Sequence, residues 1–304
     1  MSSRHFKNKM RLPWEQFQEC FLNWIKSISQ KIDGQIVAVD GKKLRRSYDK
    51  AGNKGAIHMV SAWATTQRLV LGQRQVDSKS NEITAMPELI KVLELSGCLV
   101  TIDAMGCQRE IVKLIIEQKA NYVIPVKQNQ TTLYQKVEGI FKQAIRTGFS
   151  GFQSSCYHSK EFSHGREETR YYLMLSNIQE QVDPTQKWEK LQSIGMVESV
   201  RTVNGKTTVE TRYYISSLPN NAQQLGNAVR SHWGIENPLH WVLDVAFLED
   251  DCRIRKQNAP DNFAVLRHIA LNLLNQETTA NLGIKNKRLR AGWDNEYLEK
   301  VLGM

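Results

Sequence analysis

Between Arg230 and Asp251 the chain reads Arg-Ser-His-Trp-Gly-Ile-Glu-Asn-Pro-Leu-His-Trp-Val-Leu-Asp-Val-Ala-Phe-Leu-Glu-Asp-Asp. Glu236 stands in the middle of this apolar, helix-like run, with His232, Trp233, His240 and Trp241 around it. A carboxylate in such a place needs partners, and Asp40 and Asp103 are the two best placed. Each closes an apolar strand-like run, Gln-Ile-Val-Ala-Val-Asp and Leu-Val-Thr-Ile-Asp. Three carboxylates gathered at one sheet edge can hold two divalent ions about 3.5–4 Å apart. Carboxylate oxygens suit Mg²⁺ or Mn²⁺. Two such ions activate an oxygen nucleophile and stabilise charge on a leaving oxygen, which is the chemistry of phosphodiester hydrolysis and strand transfer. Catalytic and metal-ligand roles therefore fall on Asp40, Asp103 and Glu236.

Each acid also has a plain structural reading. Asp40 precedes Gly41, Lys42, Lys43, Arg45 and Arg46, so alone it would be a salt-bridged turn residue. Glu236 alone would pair with Arg230 or a histidine. Two acids at strand ends, where open α/β sheets place ligands, tip the balance toward a site. Asp244, Glu249, Asp250 and Asp251 are reserve ligands or solvated structural acids. Asp244 shares a helical face with Glu236 and His240 only if the helix runs on through Pro238. Lys127, Arg166 and Arg230 are phosphate contacts or ordinary surface cations. His164, His232 and His240 contact phosphate or are buried histidines. Trp233 and Trp241 either stack on an unpaired base or belong to the core. Zinc is disfavoured, because there is no Cys-x-x-Cys and no His-x-x-x-His.

The elements that must position these residues follow from periodicity. Phe17, Cys20, Phe21, Trp24, Ile25 and Ile28 form one face of a helix over 13–28, with Pro13 in its first turn. Strands follow at 35–40, 57–64 and 68–76, the last two forming an antiparallel hairpin through Thr65-Thr66-Gln67. A helix at about 84–96 tolerates Pro87 only in its first turn. Then come strand 99–103, helix 107–119 and strand 121–126. Three strands followed by α-β-α-β is the order of a ribonuclease H-like mixed sheet flanked by helices. From 128 to 216 the pattern predicts a β-rich insertion, with turns at His164-Gly165 and Asn204-Gly205. The second is a type I′ signal, because Asn and Gly accept positive φ. A helix from Asn220-Asn221 runs toward Glu236 and must kink or restart at Asn237-Pro238. Another spans about 260–275.

With 41 basic and 31 acidic side chains the net charge is +10, which favours a polyanionic partner, nucleic acid first. No apolar run approaches the roughly 20 residues of a bilayer span. The N-terminal Met-Ser-Ser-Arg-His-Phe-Lys-Asn-Lys lacks the apolar core of a secretory signal, so the expected location is cytoplasmic. Five scattered cysteines argue against a disulfide framework.

Several short motifs in order resemble one family. They are Val39-Asp40-Gly41-Lys42 with Arg45 and Ser47, Lys79-Ser80-Asn81-Glu82-Ile83, Thr101-Ile102-Asp103-Ala104-Met105-Gly106 with Gln108, and Lys127-Gln128-Asn129-Gln130. Further along stand His164-Gly165-Arg166, Tyr214-Ile215-Ser216-Ser217-Leu218 and His232-Trp233-Gly234-Ile235-Glu236-Asn237 with Leu239-His240-Trp241. Together they resemble the DDE transposases of bacterial insertion sequences, of the H-repeat-associated kind, over roughly 13–304. The resemblance implies a ribonuclease H-like core with a β-rich insertion before the glutamate helix, Mg²⁺- or Mn²⁺-dependent cutting and joining at element ends, and two metal ions. It assigns the three catalytic acids to Asp40, Asp103 and Glu236, and adds Lys42, Arg45 and Asn237 to the DNA-contact set. It implies double-stranded DNA partners, namely terminal inverted repeats and target DNA, a homodimer on DNA, and a place at the bacterial nucleoid with no membrane partner. Where related transposases carry Arg four residues before the glutamate this chain has His232, and where they carry Lys seven after it has Leu243.

The expected division is an N-terminal helical segment 1–34, shortened relative to the family; a catalytic core 35–127 and 217–275; the insertion 128–216; and a basic C-terminal tail 276–304. Three functional readings follow. The first is an active transposase, the second a truncated remnant that only binds DNA, and the third a nuclease that cuts branched or single-stranded DNA without joining.

Overall fold

The computed structural model describes residues 13–29, 34–48, 55–76, 81–163 and 165–304. The first twelve residues of the expected N-terminal segment, Lys79 and Ser80 of one motif, and His164 lie outside the described residues. The chain divides into two units. One gathers helix 14–28 with Val37–Leu93 and Trp233–Met304, and the other holds residues 34–36 and Glu94–His232.

In the first unit the amphipathic helix α1 spans Trp14–Ile28 and buries Gln18, Phe21 and Ile25. Pro13 takes the N-cap position rather than the first turn. Three antiparallel strands follow, β1 (Ile36–Lys43), β2 (His58–Ala64) and β3 (Leu69–Gln75), with β2 central. Val37, Ala38 and Val39 are all buried, so β1 is covered on both faces and its sequence is continuously apolar instead of alternating. Helix α2 spans Glu82–Val92, earlier than the periodicity predicts, because the Asn81 side chain caps it by accepting from the Ile83 N–H at 3.0 Å. Pro87 consequently sits in the second turn, where it has no N–H to donate toward Ile83. Both α1 and α2 pack on β3.

The second unit opens with a parallel β-α-β: β4 (Leu99–Ile102), helix α3 (Arg109–Glu117) and β5 (Asn121–Val126). After β5 comes a 16-residue helix, α4 (Thr131–Arg146), inside the stretch expected to be β-rich. It buries Leu133, Val137, Ile140, Phe141 and Ala144, a helical spacing. The insertion then delivers four 11-residue strands, β6 (Gln153–Ser163), β7 (Arg166–Ser176), β8 (Ser193–Val203) and β9 (Lys206–Ser216), with a four-residue helix α5 (Gln179–Val182) between β7 and β8. The strands run antiparallel in the order β5-β9-β8-β7-β6. At the β8–β9 turn Asn204 and Gly205 have φ of 48° and 75°, as a type I′ turn requires. Helix α6 (Ala222–His232) lays Leu225, Ala228 and Val229 on Tyr172, Met174, Val197 and Tyr214. The first half of β9 is exposed, and β6 alternates between exposed and half-buried residues along its whole length.

The chain then re-enters the first unit with a π-helical turn over Glu236–Trp241, followed by α7 (Val242–Phe247) and α8 (Ala259–Gln276). The Asn272 side chain both accepts from the Val70 N–H (2.8 Å) and donates to the Val70 carbonyl (3.0 Å), so α8 pairs with the outer edge of β3. The stretch after 276 folds into α9 (Ile284–Trp293) and α10 (Asn295–Leu302). Lys287 of the basic cluster is buried at 7% exposure and donates to the carbonyls of Leu274 and Glu277. Burial alone would raise the Glu277 carboxyl, but hydrogen bonds from Thr279 and Tyr297 and the Lys287 charge hold it down at about 2.

Candidate active site

In the first unit Asp40 lies inside β1, opposite Ser61 of β2. The strand does not close at the acid as expected but runs on through Lys43, which still pairs with His58. Side chains alternate along a strand, so Asp40 and Lys42 share one face and Gly41 turns to the other. A Cβ on Gly41 would stand 2.2 Å from Glu82 Oε1, and that carboxylate is in turn 2.6 Å from His58 Nε2. Only glycine admits this close approach.

On the Asp40 face, His240 brings Nδ1 to 3.7 Å from Asp40 Oδ2. His240 belongs to the π turn that begins at Glu236, and its backbone N–H donates to the Ile235 carbonyl, five residues back, at 3.0 Å. The cause is local: Pro238 cannot donate, the α ladder opens, and the next turn closes one residue wide. The expected kink at Asn237-Pro238 thus takes the form of a widened turn. Ile235 and Leu239 are buried and anchor it, while Glu236 and Asn237 are exposed. Trp233 and Trp241 are 39% and 60% exposed, so neither is a core tryptophan.

Lys42 extends from the Asp40 face to three acids: Asp244 Oδ1 at 2.6 Å, Glu249 Oε2 at 3.0 Å and Asp250 Oδ1 at 3.4 Å. Glu249, almost fully buried, also meets Arg267 of α8 at 3.6 Å. Burial lowers the Lys42 pKa, but Glu249 and Asp244 more than offset that and raise it overall. Arg45 reaches Asp250 at 3.2 Å and Arg46 reaches Asp251 at 3.1 Å. The reserve acids of the sequence are therefore structural partners of cations. The Lys42 cluster is not visible in spacing, because Lys42 and its acids lie some two hundred residues apart.

In the second unit Asp103 follows β4 and caps the 3₁₀ turn Ala104–Gly106: its Oδ1 accepts from the N–H groups of Met105 (3.1 Å) and Gly106 (3.2 Å). A carboxylate has about four lone-pair sites, so capping is compatible with holding an ion. Asn129 and Gln130, after Lys127, brace this turn by donating to the carbonyls of Ala104 (2.7 Å) and Cys107 (2.8 Å). The buried Cys107 thiol is pushed up to about 12 by lost hydration, so it is no thiolate ligand. His232 places Nδ1 3.2 Å from Thr101 Oγ1, on the strand that leads to Asp103. Lost hydration pulls its pKa down to about 4, so it is a neutral imidazole at pH 7. Arg230 pairs with Glu161 at 2.8 Å, Arg166 with Glu168 at 3.4 Å, and the Lys127 side chain is exposed.

As ligands, Asp40, Asp103 and Glu236 are hard oxygen donors of the kind Mg²⁺ and Mn²⁺ take. Among the described residues no three His, Cys, Asp or Glu side chains are gathered as the ligands of one ion would be.

The family model described as the Transposase DDE domain matches residues 31–273, a span that contains all three acids. The chain belongs to the DDE transposase family. It is 40% identical over 291 residues to the H repeat-associated putative transposase YhhI of Escherichia coli (strain K12), covering 94% of this chain and 76% of that one. The same figures hold for the protein YbfL of that strain. Among solved structures, a piggyBac transposase synaptic complex with hairpin DNA is similar at TM-score 0.52 and 14% identity, over 98% of this chain. This DDE-family chain spans 60% of the length of that piggyBac chain. The likeness bears out the mixed α/β, ribonuclease H-like fold expected from the strand and helix order.

Proposed function

We propose that this chain is a metal-dependent transposase that cuts DNA at the ends of an insertion sequence and joins them to target DNA, with Asp40, Asp103 and Glu236 as its catalytic acids. One observation carries the reading beyond family membership. The turn bearing Glu236 returns to the Asp40 strand through the 3.7 Å approach of His240 to Asp40, although the two acids are far apart in sequence. Two bound Mg²⁺ or Mn²⁺ ions would supply the positive charge that favours the attacking and leaving oxygens. The protein's own part is to offer carboxylate oxygens, with His240 orienting Asp40 and the Met105 and Gly106 amides orienting Asp103. On this reading Arg45, Lys127, Arg166 and Arg230 meet phosphates of the terminal inverted repeats and target duplex. His164 keeps the DNA contact implied by its motif. Trp233 and Trp241, with Asn237 between them, form the surface on which an unpaired base stacks. His232, being neutral, serves this DNA interface by holding Thr101 rather than as a cation. The net charge of +10 suits such a partner. The remaining elements of the proposal are a homodimer on paired DNA ends and a location in the bacterial cytoplasm at the nucleoid. No described helix is long and apolar enough to cross a membrane.

A second reading is a chain that binds DNA without cutting it, which the net charge of +10 suits equally well. Labelled duplexes carrying the element's terminal repeats, incubated with Mn²⁺ or Mg²⁺, separate the two. The transposase reading expects nicks at the element ends that Asp103→Asn abolishes. Because Asn caps as well as Asp, that variant should keep its stability within about 0.5 kcal/mol. Salt-sensitive binding with no nick under either metal would establish the second reading instead.

A further inference from the structure

The geometry points to Lys42 as a positioning residue, a charge clamp that fixes the Glu236 segment against the Asp40 strand, and not as a DNA contact. The inference rests on the reading of Asp40 and Glu236 as members of one cutting site.

An ammonium group has three N–H donors. Around Lys42 three carboxylates stand at 2.6, 3.0 and 3.4 Å, and the side chain is only 11% exposed. Its donors are thus taken up, and a phosphate would have to displace one of these carboxylates to reach it. The partners are placed where a clamp needs them. Lys42 lies two residues beyond Asp40 on the same face of β1. Asp244 is in α7, which continues directly from the π turn of Glu236, and Glu249 and Asp250 follow α7. The Glu236 segment is therefore tied to β1 twice, by His240 at Asp40 and by Asp244 at Lys42. Glu249 passes the second tie on to Arg267 in α8. A surface ion pair would hold little, but here Glu249 and Arg267 are 2% and 5% exposed, and removing one partner leaves a charge buried. The π turn makes such a tie necessary, since a widened turn lacks the regular α ladder that would otherwise fix the direction of Glu236.

The test uses the full chain and two variants, Lys42→Met and Asp244→Asn. The second removes the shortest contact at the more exposed rim and leaves Lys42 with two acids, so it keeps the comparison if Lys42→Met fails to fold. Amide hydrogen exchange over 236–247, measured without DNA, should quicken by about tenfold or more in either variant. Binding to a duplex of terminal-repeat sequence should stay within about twofold of wild type with an unchanged salt slope, while nicking with Mn²⁺ falls by about tenfold or more. The clamp is overturned if exchange is unchanged and Lys42→Met lowers the salt slope by about one, as loss of a phosphate contact would. It is equally overturned if Asp244→Asn tightens DNA binding, because the ammonium is then being released to phosphate. A wild-type chain that never nicks would sink the transposase reading alone, since the exchange comparison reads the clamp without DNA or metal.

Discussion

Asp40 stands inside a strand and Asp103 just past the end of one, and the two units brace them by opposite means. Behind Asp40 the bracing is ionic: Lys42, Asp244, Glu249, Asp250 and Arg267 form a largely buried network of formal charges. Behind Asp103 it is neutral: backbone amides at its own Oδ1, amide side chains from Asn129 and Gln130, and an uncharged His232 on Thr101. At the carboxylate itself the bracing is local, because Asp103 and the amides it accepts from are two and three residues apart. Asn129, Gln130 and His232 support its turn and strand from farther along the chain. The ionic network joins elements about two hundred residues apart, where no helix or turn sets the distance. There strong, long-reaching attraction stands in for backbone connectivity. The price is fragility, since a buried charge that loses its partner is far more damaging than a lost neutral hydrogen bond.

The contrast breaks most visibly at Arg267. Arg267→Met strips Glu249 of its deeper cation, and urea unfolding should show a loss of about 3 kcal/mol. A loss below about 1 kcal/mol would mean that the network is better hydrated than its burial implies and that the two units are braced alike. Acid sharpens the comparison next. His232 and His268 are held neutral with pKa values of about 4 and about 3, chiefly by lost hydration. Between pH 6.5 and 4 the unfolded chain therefore binds more protons than the folded one. The stability these histidines contribute is complete above about pH 6.5 and drains away as pH falls toward 4. His232→Gln, which can keep a bond to Thr101, should show a smaller drop in thermal midpoint from pH 7 to 4.5 than wild type. An equal drop would place the acid sensitivity elsewhere. The smallest effect belongs to Thr101→Val, which should cost about 1 kcal/mol and show no dependence on salt. Salt dependence there would reveal a charge on His232 and undo the distinction between the units.

Much of this arrangement is legible in the sequence. Runs such as Gln35–Asp40 and Leu99–Asp103 announce strands, Asn204-Gly205 announces its turn, and Pro238 announces a break in the helix. What escapes has physical causes. Helix α4 opens on Thr131 and Thr132 after Gln128–Gln130, polar residues that read as a loop, and the hairpin signals that follow draw the whole stretch toward β. Leu133, Val137, Ile140 and Phe141 carried the helical period nonetheless. The start of α2 was set by the Asn81 cap rather than by apolar spacing. Lys42 sits in a run of cations that looks like a phosphate-binding loop. Its carboxylates lie beyond the reach of any spacing argument, because tertiary distance alone pairs them. Likewise Trp233 precedes the π turn and Trp241 closes it, with Ile235 and Leu239 buried between them, so a period drawn for an α-helix misplaces both tryptophans.

That turn has a consequence for how this segment tolerates change in length. A π turn is an α-helix carrying one residue too many, held as a bulge that lets the turns on either side keep nearly their α phase. Removing one residue between 236 and 241 would let the ladder close as α. Glu236 would then stay on nearly the same side of the axis relative to Asp244, whereas one residue removed between Trp241 and Asp244 would turn it by about 100°. The π turn is thus the place in this segment where a change of one residue disturbs the direction of the acid least.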